Sequence, residues 1–168
     1  SATGTWTYSS ANTSVAAIAG TKFDVLDAGA SVITATFTPA NTTNYVSGGT
    51  ITMTVTVDTA NQTSLTISSV TGTYGTDLTL TTSGGSTNGI VTWGTTNGTA
   101  TGCAISSGKL TTTSAGNWEG TATMAGNSNY NPVTNLGTTV TINAKPITVT
   151  AVAKTKTYGD ADPALTYT

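Results

Sequence analysis

Thr50-Ile51-Thr52-Met53-Thr54-Val55-Thr56-Val57 places an apolar side chain at every second position and a threonine between each pair. Successive side chains of a strand point to opposite faces, so this run reads as a strand with one apolar and one hydroxyl-bearing face. The alternation recurs. Ile33, Ala35 and Phe37 are spaced by Thr34 and Thr36, and Leu78 and Leu80 by Thr79. Val140 and Ile142 are spaced by Thr141, and Ile147 and Val149 by Thr148. Burial on one face only is the habit of antiparallel sheets with one face in water. Threonine, the dominant residue, is β-branched, which costs it rotamer freedom in a helix and suits it to a pleated surface. No window keeps a helical period, so the chain is expected to be all-β.

Working outward, turn chemistry separates these runs. Asp27-Ala28-Gly29, Ser83-Gly84-Gly85-Ser86, Thr96-Asn97-Gly98, Ser107-Gly108 and Ala115-Gly116-Asn117 all supply residues that tolerate positive φ. Ile105-Ser106-Ser107-Gly108-Lys109-Leu110 reads as a tight hairpin. Between residues 60 and 144 about seven strands are expected, near 65–68, 78–82, 90–94, 103–106, 109–113, 118–124 and 137–143. Short strands at that density describe an immunoglobulin-like sandwich. Val91 and Trp93 on one strand, with Trp118, Ala122 and Met124 on another, would fill its core.

The chain also repeats itself. Thr71-Gly72-Thr73-Tyr74-Gly75-Thr76-Asp77-Leu78 returns as Thr155-Lys156-Thr157-Tyr158-Gly159-Asp160, with Leu165 shortly after. Thr34-Ala35-Thr36-Phe37 and Asn44-Tyr45 return as Thr121-Ala122-Thr123-Met124 and Asn129-Tyr130, and Gly4-Thr5-Trp6-Thr7-Tyr8 falls on Gly89-Ile90-Val91-Thr92-Trp93. The period is about 85 residues. The expected architecture is therefore tandem immunoglobulin-like β-sandwiches, one complete repeat (60–144) and two partial ones. Residues 1–59 match the later strands of a repeat and lack its first ones; 145–168 match those first strands and lack the rest. A sandwich without its opening strands exposes open edges and an unfilled core. Two arrangements answer this: a continuous tandem-repeat chain, or separate copies joined head to tail, with 145–168 of one completing 1–59 of the next by strand addition.

Composition narrows the function classes. Charged residues make up 7% of the 168, the net charge is −2 and there is no histidine. Nothing in this provides the clustered cations that nucleic acid requires, nor a basic amphipathic stretch for a membrane surface. No run approaches the roughly 20 apolar residues of a membrane helix, and none reads as a signal peptide. Without histidine the usual general base, the Ser–His and Cys–His pairs and most zinc sites are excluded. An enzyme is not expected, and no cofactor. The lone Cys103, beside Ala104 and Ile105, reads as a small buried hydrophobe with no nearby cation to activate it.

Lys145-Pro146-Ile147-Thr148-Val149-Thr150, followed by Lys156-Thr157-Tyr158-Gly159-Asp160-Ala161-Asp162-Pro163-Ala164-Leu165-Thr166-Tyr167, resembles the opening of an MBG-type bacterial repeat. Residues 60–143 resemble bacterial immunoglobulin-like repeats of large surface proteins, through Leu65-Thr66-Ile67, Gly72-Thr73-Tyr74-Gly75 and Asn129-Tyr130-Asn131. Thr34-Ala35-Thr36-Phe37-Thr38-Pro39 with Asn44-Tyr45 is similar to the same class. The resemblance implies a secreted or bacterial cell-surface protein: an adhesin stalk, a biofilm matrix component or a helical extracellular filament, whose repeats act as spacers. It brings no catalytic residues. It also implies a second cysteine near the position held here by Trp118, so that packing would replace a disulfide to Cys103.

Each candidate site residue has a plainer reading beside it. Tyr74-Gly75 and Tyr158-Gly159 are expected at module junctions, the tyrosines packing on a neighbouring module and the glycines bending the chain. Ile147, Val149 and Leu165 are the expected inter-unit strand residues. Asp160 and Asp162 are weak calcium candidates, since Ca²⁺ takes roughly six to eight oxygens and both residues sit in turn-forming pairs. Asp24 and Asp27 do not make a catalytic pair on their pattern alone. Glu119 would have to lie inward beside Lys22 or Lys109 to catalyse an isopeptide crosslink, yet alternation with an inward Trp118 turns it outward. Asn12, Asn41, Asn61 and Asn97 open glycosylation sequons, matches that an Asn- and Thr-rich chain produces by chance. A flat threonine array for ordering ice conflicts with sheet twist. Partners expected are copies of the chain, head to tail, with glycans as the alternative: an adhesive module using exposed aromatics.

Overall fold

The computed structural model describes residues 2–46 and 48–168, with every side chain in them except that of Asn97. Among the described residues the chain is all-β: fourteen strands and no helix. In chain order they are β1 (Gly4–Ser10), β2 (Ala16–Ala19), β3 (Lys22–Val25), β4 (Gly29–Pro39) and β5 (Gly49–Val57). Then come β6 (Leu65–Ile67), β7 (Thr71–Thr73), β8 (Leu78–Thr79), β9 (Thr82–Gly84) and β10 (Val91–Asn97). The last four are β11 (Ala104–Ser106), β12 (Lys109–Thr111), β13 (Gly116–Met124) and β14 (Val133–Asn143). They form five sheets, with orders β1-β4-β5, β10-β13-β14-β7, β11-β12-β8, β2-β3 and β6-β9.

Contacts divide the chain into two compact units. The first comprises Ser1–Ser68, Thr81–Gly94 and Gly120–Thr138. In it β1 and β5 flank β4 antiparallel, with Trp6 opposite Phe37, Tyr8 opposite Ala35, and Ile51 and Met53 opposite Ala35 and Ile33. This register segregates the faces. Trp6, Tyr8, Phe37, Ala35, Ile33, Ile51, Met53 and Val55 share one; Thr5, Thr7, Thr34, Thr36, Thr38 and Thr50 through Thr56 at even numbers share the other. The β2-β3 hairpin joins it, with Val15, Ala16 and Ile33 buried. Ser31 is buried among them, its Oγ meeting Ser10 Oγ at 2.8 Å and accepting from the Asn12 amide at 3.0 Å. The same unit holds a second core, in which Leu65 and Ile67 of β6 pack with Ala122 and Met124, flanked by Val91, Trp93 and Val133.

The second unit comprises Ser69–Leu80, Thr95–Glu119 and Thr139–Thr168. Leu110, Trp118 and Val140 are its most deeply buried side chains, with Leu80, Ala100 and Ile142 also buried. Trp118 is fully buried and Glu119 exposed, as their alternation requires, although Trp118 Nε1 meets no hydrogen-bond acceptor. The expected hairpin is present: Ser106 pairs with Lys109 across Ser107 (φ 49°) and Gly108 (φ 72°), and two positive φ values match the twist of flanking strands.

Nine strands rather than about seven lie between 60 and 144. The expected strand 78–82 is two short pieces, β8 and β9, that join different sheets. The additional β7, Thr71-Gly72-Thr73, pairs parallel with β14, Thr71 opposite Thr141. Three residues with no apolar alternation carry no periodic signal; only the long-range ladder makes them a strand.

Local devices recur at matching places. Gly4 and Gly89 each pass so close to a neighbouring strand that a Cβ would lie 2.3 Å from a backbone oxygen, of Thr38 and of Ala125. Gly29 and Gly116 open β4 and β13 at φ 137° and 142°. Asn41 Oδ1 accepts from the amides of Thr43 and Asn44, as Asn127 Oδ1 does from Asn129 and Tyr130. The Thr76 amide donates to Thr73 and the Asp160 amide to Thr157, closing turns around Gly75 and Gly159, both at positive φ. The Ser68 amide donates to Thr81, and the Val152 amide to Thr166.

Candidate functional site

The apolar face of β1-β4-β5 is the most distinctive surface of the first unit. An unbroken alternation should have its apolar half in a core, yet Trp6 is 45%, Ile51 65% and Met53 53% exposed. Phe37 lies beside Trp6, ring centroids 5.1 Å apart at 49°, a tilted aromatic contact. Between this face and the β2-β3 hairpin runs a groove of about 200 Å³, lined chiefly by Tyr8, Ile18, Phe23, Ile33, Ile51 and Met53. A second recess adjoins Trp6, Phe37 and Gly49. Thr21, Lys22 and Thr52 line it as well, but apolar side chains predominate, so its chemistry is mainly that of an apolar cleft.

The second notable constellation is polar and structural. Gln62 is 8% exposed, and every hydrogen-bonding atom of its amide is used. Nε2 donates to the carbonyls of Asn131 (2.9 Å) and Ala125 (3.2 Å). Oε1 accepts from the amides of Ser86 (3.0 Å) and Thr87 (3.2 Å) and from Thr87 Oγ1 (3.0 Å). One side chain thus pins three loops. Nearby, Asn129 Nδ2 donates to Asp27 Oδ1 at 2.7 Å and Asn129 Oδ1 accepts from the Ala28 amide at 2.7 Å. Asp27 is therefore tied to an asparagine, and Asp24 lies within β3 opposite Ala17. Neither Gln62 nor this Asp27–Asn129 pair has a sequence signal, because partners 24 to 102 residues away create them.

The other residues singled out from sequence fall as follows. Tyr74 is 41% and Tyr158 fully exposed, and the glycines after them adopt φ 78° and 93°. Ile147, Val149 and Leu165 are 86%, 66% and 91% exposed, and every residue from 143 to 168 is exposed. Lys156 pairs with Asp162 and also donates to the Asp160 carbonyl, so an ammonium already faces the oxygens a cation would use. Among the described residues no three metal-ligating side chains cluster. Cys103 is half-buried, its Sγ 3.9 Å from the Ala100 carbonyl, and burial pushes its thiol pKa up, away from reactivity. Asn12 and Asn41 use their side chains in local turns, Asn61 Oδ1 accepts from Asn131, and the Asn97 side chain lies outside the described residues.

A scan against protein-family models finds no match for this chain, and a search of curated proteins finds no similar sequence.

Proposed function

We propose that the chain is a structural length of a bacterial extracellular filament or giant surface adhesin, built of tandem immunoglobulin-like sandwiches. Residues 60–144 form one whole module, 1–59 the later part of another and 145–168 the opening of an MBG-type repeat, with short linkers near 59–64 and 143–147. The observation that carries the reading is the recurrence of the same devices at matching places: the close-packed glycines 4 and 89, the asparagine-capped loops at 41 and 127, and the Thr-Tyr-Gly turns at 73 and 157. Repetition of supersecondary units is how a chain builds length rather than a single pocket. The mechanism is mechanical. Backbone ladders and apolar inner faces hold each module, and Trp118 and Trp93 are used for packing rather than display. Few charges and only five cationic residues leave few sites for trypsin-like proteases, in keeping with life at the cell surface.

The rival reading, an adhesive module that holds glycans on exposed aromatics, draws on Trp6 and Tyr8. Sugar sites combine an aromatic platform with several placed polar groups. Around Trp6 stand Ala2, Phe37, Gly49 and Ile51, with Thr50 the one polar side chain lining that recess. A glycan array probed with the labelled chain and with its Trp6→Ala variant separates the two. No Trp6-dependent signal is expected; a sugar retained by the chain and lost by the variant overturns the spacer reading. Pulled by its ends, the chain is expected to unfold in discrete steps.

A further inference from the structure

The apolar face of β1-β4-β5 and the segment 145–168 both leave large apolar side chains exposed, and residues 65–84 show how such a pair is resolved. There, β6 and β9 form an antiparallel ladder that places Leu65 and Ile67 over Val91, Trp93, Ala122 and Met124. The terminal segment makes the corresponding ladder. Ala151 bridges Tyr167, and the Val152 amide donates to Thr166 as Ser68 donates to Thr81. In this correspondence Val149 stands for Leu65, Ala151 for Ile67 and Leu165 for Leu80. The three models are 3%, 4% and 6% exposed, whereas Val149 and Leu165 are 66% and 91% exposed.

From this we infer that the open face of β1-β4-β5 is a docking site for the 145–168 segment of a second copy of the chain. This deepens the proposed function, resting on its repeat reading, by naming the joint between units. Side-chain sizes agree. The segment carries smaller residues than its counterpart, valine for leucine and alanine for isoleucine, and the face is larger on balance, the smaller Tyr8 in place of Trp93 being the exception. Trp6 stands for Val91 and Phe37 for Met124, so what the covering ladder loses in volume the covered sheet regains. Leu165 enters the groove between sheet and hairpin. Phe23 there stands at the place of Leu110, whose strand is joined at its edge by β8.

Charge agrees as well. The segment holds Lys145, Lys154 and Lys156 against Asp160 and Asp162, whereas residues 1–59 hold Asp24, Asp27 and Asp58 against Lys22. Opposite net signs favour encounter and register. By the parallel pairing of β7 with β14, Thr155 falls opposite Thr56 and Lys156 opposite Val57 at the free edge of β5. Lys156 replaces Gly72, whose absent Cβ would lie 3.2 Å from Ile142 Cδ1. The smaller Val57 in place of that isoleucine leaves room for the lysine stem, and the ammonium leaves along the sheet edge.

The test uses the full chain in sedimentation velocity. Wild type is expected to form a concentration-dependent series of oligomers, an open head-to-tail contact having no closed end state. Val149→Asp disables the segment and Ile51→Asp the face; both positions are solvent-exposed, so the fold survives, as circular dichroism verifies. Each variant alone is expected to be monomeric, with affinity reduced more than about 30-fold, the scale of a hot-spot loss. Mixed in equal amounts, they are expected to give a 1:1 dimer that does not extend, with a blue shift of Trp6 fluorescence that Trp6→Phe removes. Thr54→Asp, on the threonine face and away from the groove, is expected to leave assembly intact. A second copy of 145–168 fused ahead of Ala2 is expected to fill the face internally and give monomers. Monomeric wild type, assembly untouched by either aspartate, or a mixture that stays monomeric each overturns the joint. A Trp6-dependent glycan signal instead overturns the spacer reading and leaves the assembly result standing.

Discussion

Gln62→Glu exchanges one NH₂ for one oxygen and changes almost nothing in shape, so its cost reports on hydrogen bonding alone. The Oε1 end keeps the amides of Ser86 and Thr87 as donors, with the single Thr87 hydroxyl proton shared between it and the Ala125 carbonyl. The other end turns from a donor into an acceptor facing the carbonyl oxygens of Asn131 and Ala125. Ala125 keeps Thr87 Oγ1 at 2.9 Å, while the glutamine bond to Asn131 is lost outright. Two lost bonds at about 1 kcal/mol each, with a further 1 kcal/mol for oxygen facing oxygen in a site only 8% exposed, give about 3 kcal/mol at pH 7. Protonating the carboxyl restores one donor and leaves a deficit of about 1 kcal/mol. The difference of about 2 kcal/mol favours the protonated form, so the two facing carbonyl oxygens raise the folded-state pKa above the ordinary glutamate value. A raised carboxyl pKa means that the folded state binds more protons, so the variant gains on wild type as pH falls. The deficit is complete at pH 7 and shrinks as the pH is lowered from 7 toward about 4. Urea melts of both proteins across that range measure it. At pH 7 the melting temperature is expected to fall by about 6–12 °C. A variant as stable as wild type at pH 7, or a deficit that does not change with pH, refutes the assignment of Gln62 as the polar hub.

Ser107 holds a positive φ without being glycine; Ser107→Asn is expected to stabilise the β11-β12 hairpin by about 0.5–1 kcal/mol, read as a higher urea midpoint. Gly4→Ala drives a Cβ against the Thr38 carbonyl and the Phe37 ring and is expected to cost more than about 2 kcal/mol, whereas Gly49→Ala meets open space and stays within about 0.5 kcal/mol. Leu110→Ala empties a fully buried site and is expected to cost about 2–5 kcal/mol by thermal melting. Cys103 is expected to react with iodoacetamide at pH 8 more slowly than the unfolded chain in urea does, because burial disfavours its thiolate.

What could be read from the sequence is what short-range periodicity encodes. The alternation over 50–57 gives β5 and its two faces, Ser107-Gly108 its hairpin, and the Trp118–Glu119 pair its inward and outward sense. β7 escapes such reading because Thr-Gly-Thr becomes a strand only beside β14, some 70 residues on. Gln62 escapes it too, as nothing in Asn61-Gln62-Thr63 marks a side chain that joins three loops. The exposure of Trp6 and Ile51 is a further case. Alternation says which side chains share a face; it does not say what, if anything, covers that face.

The threonine face of β1-β4-β5 carries a consequence for where such a chain can work. Its water-facing side is made of hydroxyls, and the ion pair Lys156–Asp162 is exposed. Hydroxyl hydration does not depend on a Debye length, and an exposed ion pair contributes little that salt could screen. The chain carries no histidine, the side chain whose ordinary pKa lies between about pH 5 and 8. The stability of the fold is therefore expected to change little with moderate ionic strength or mild acidity.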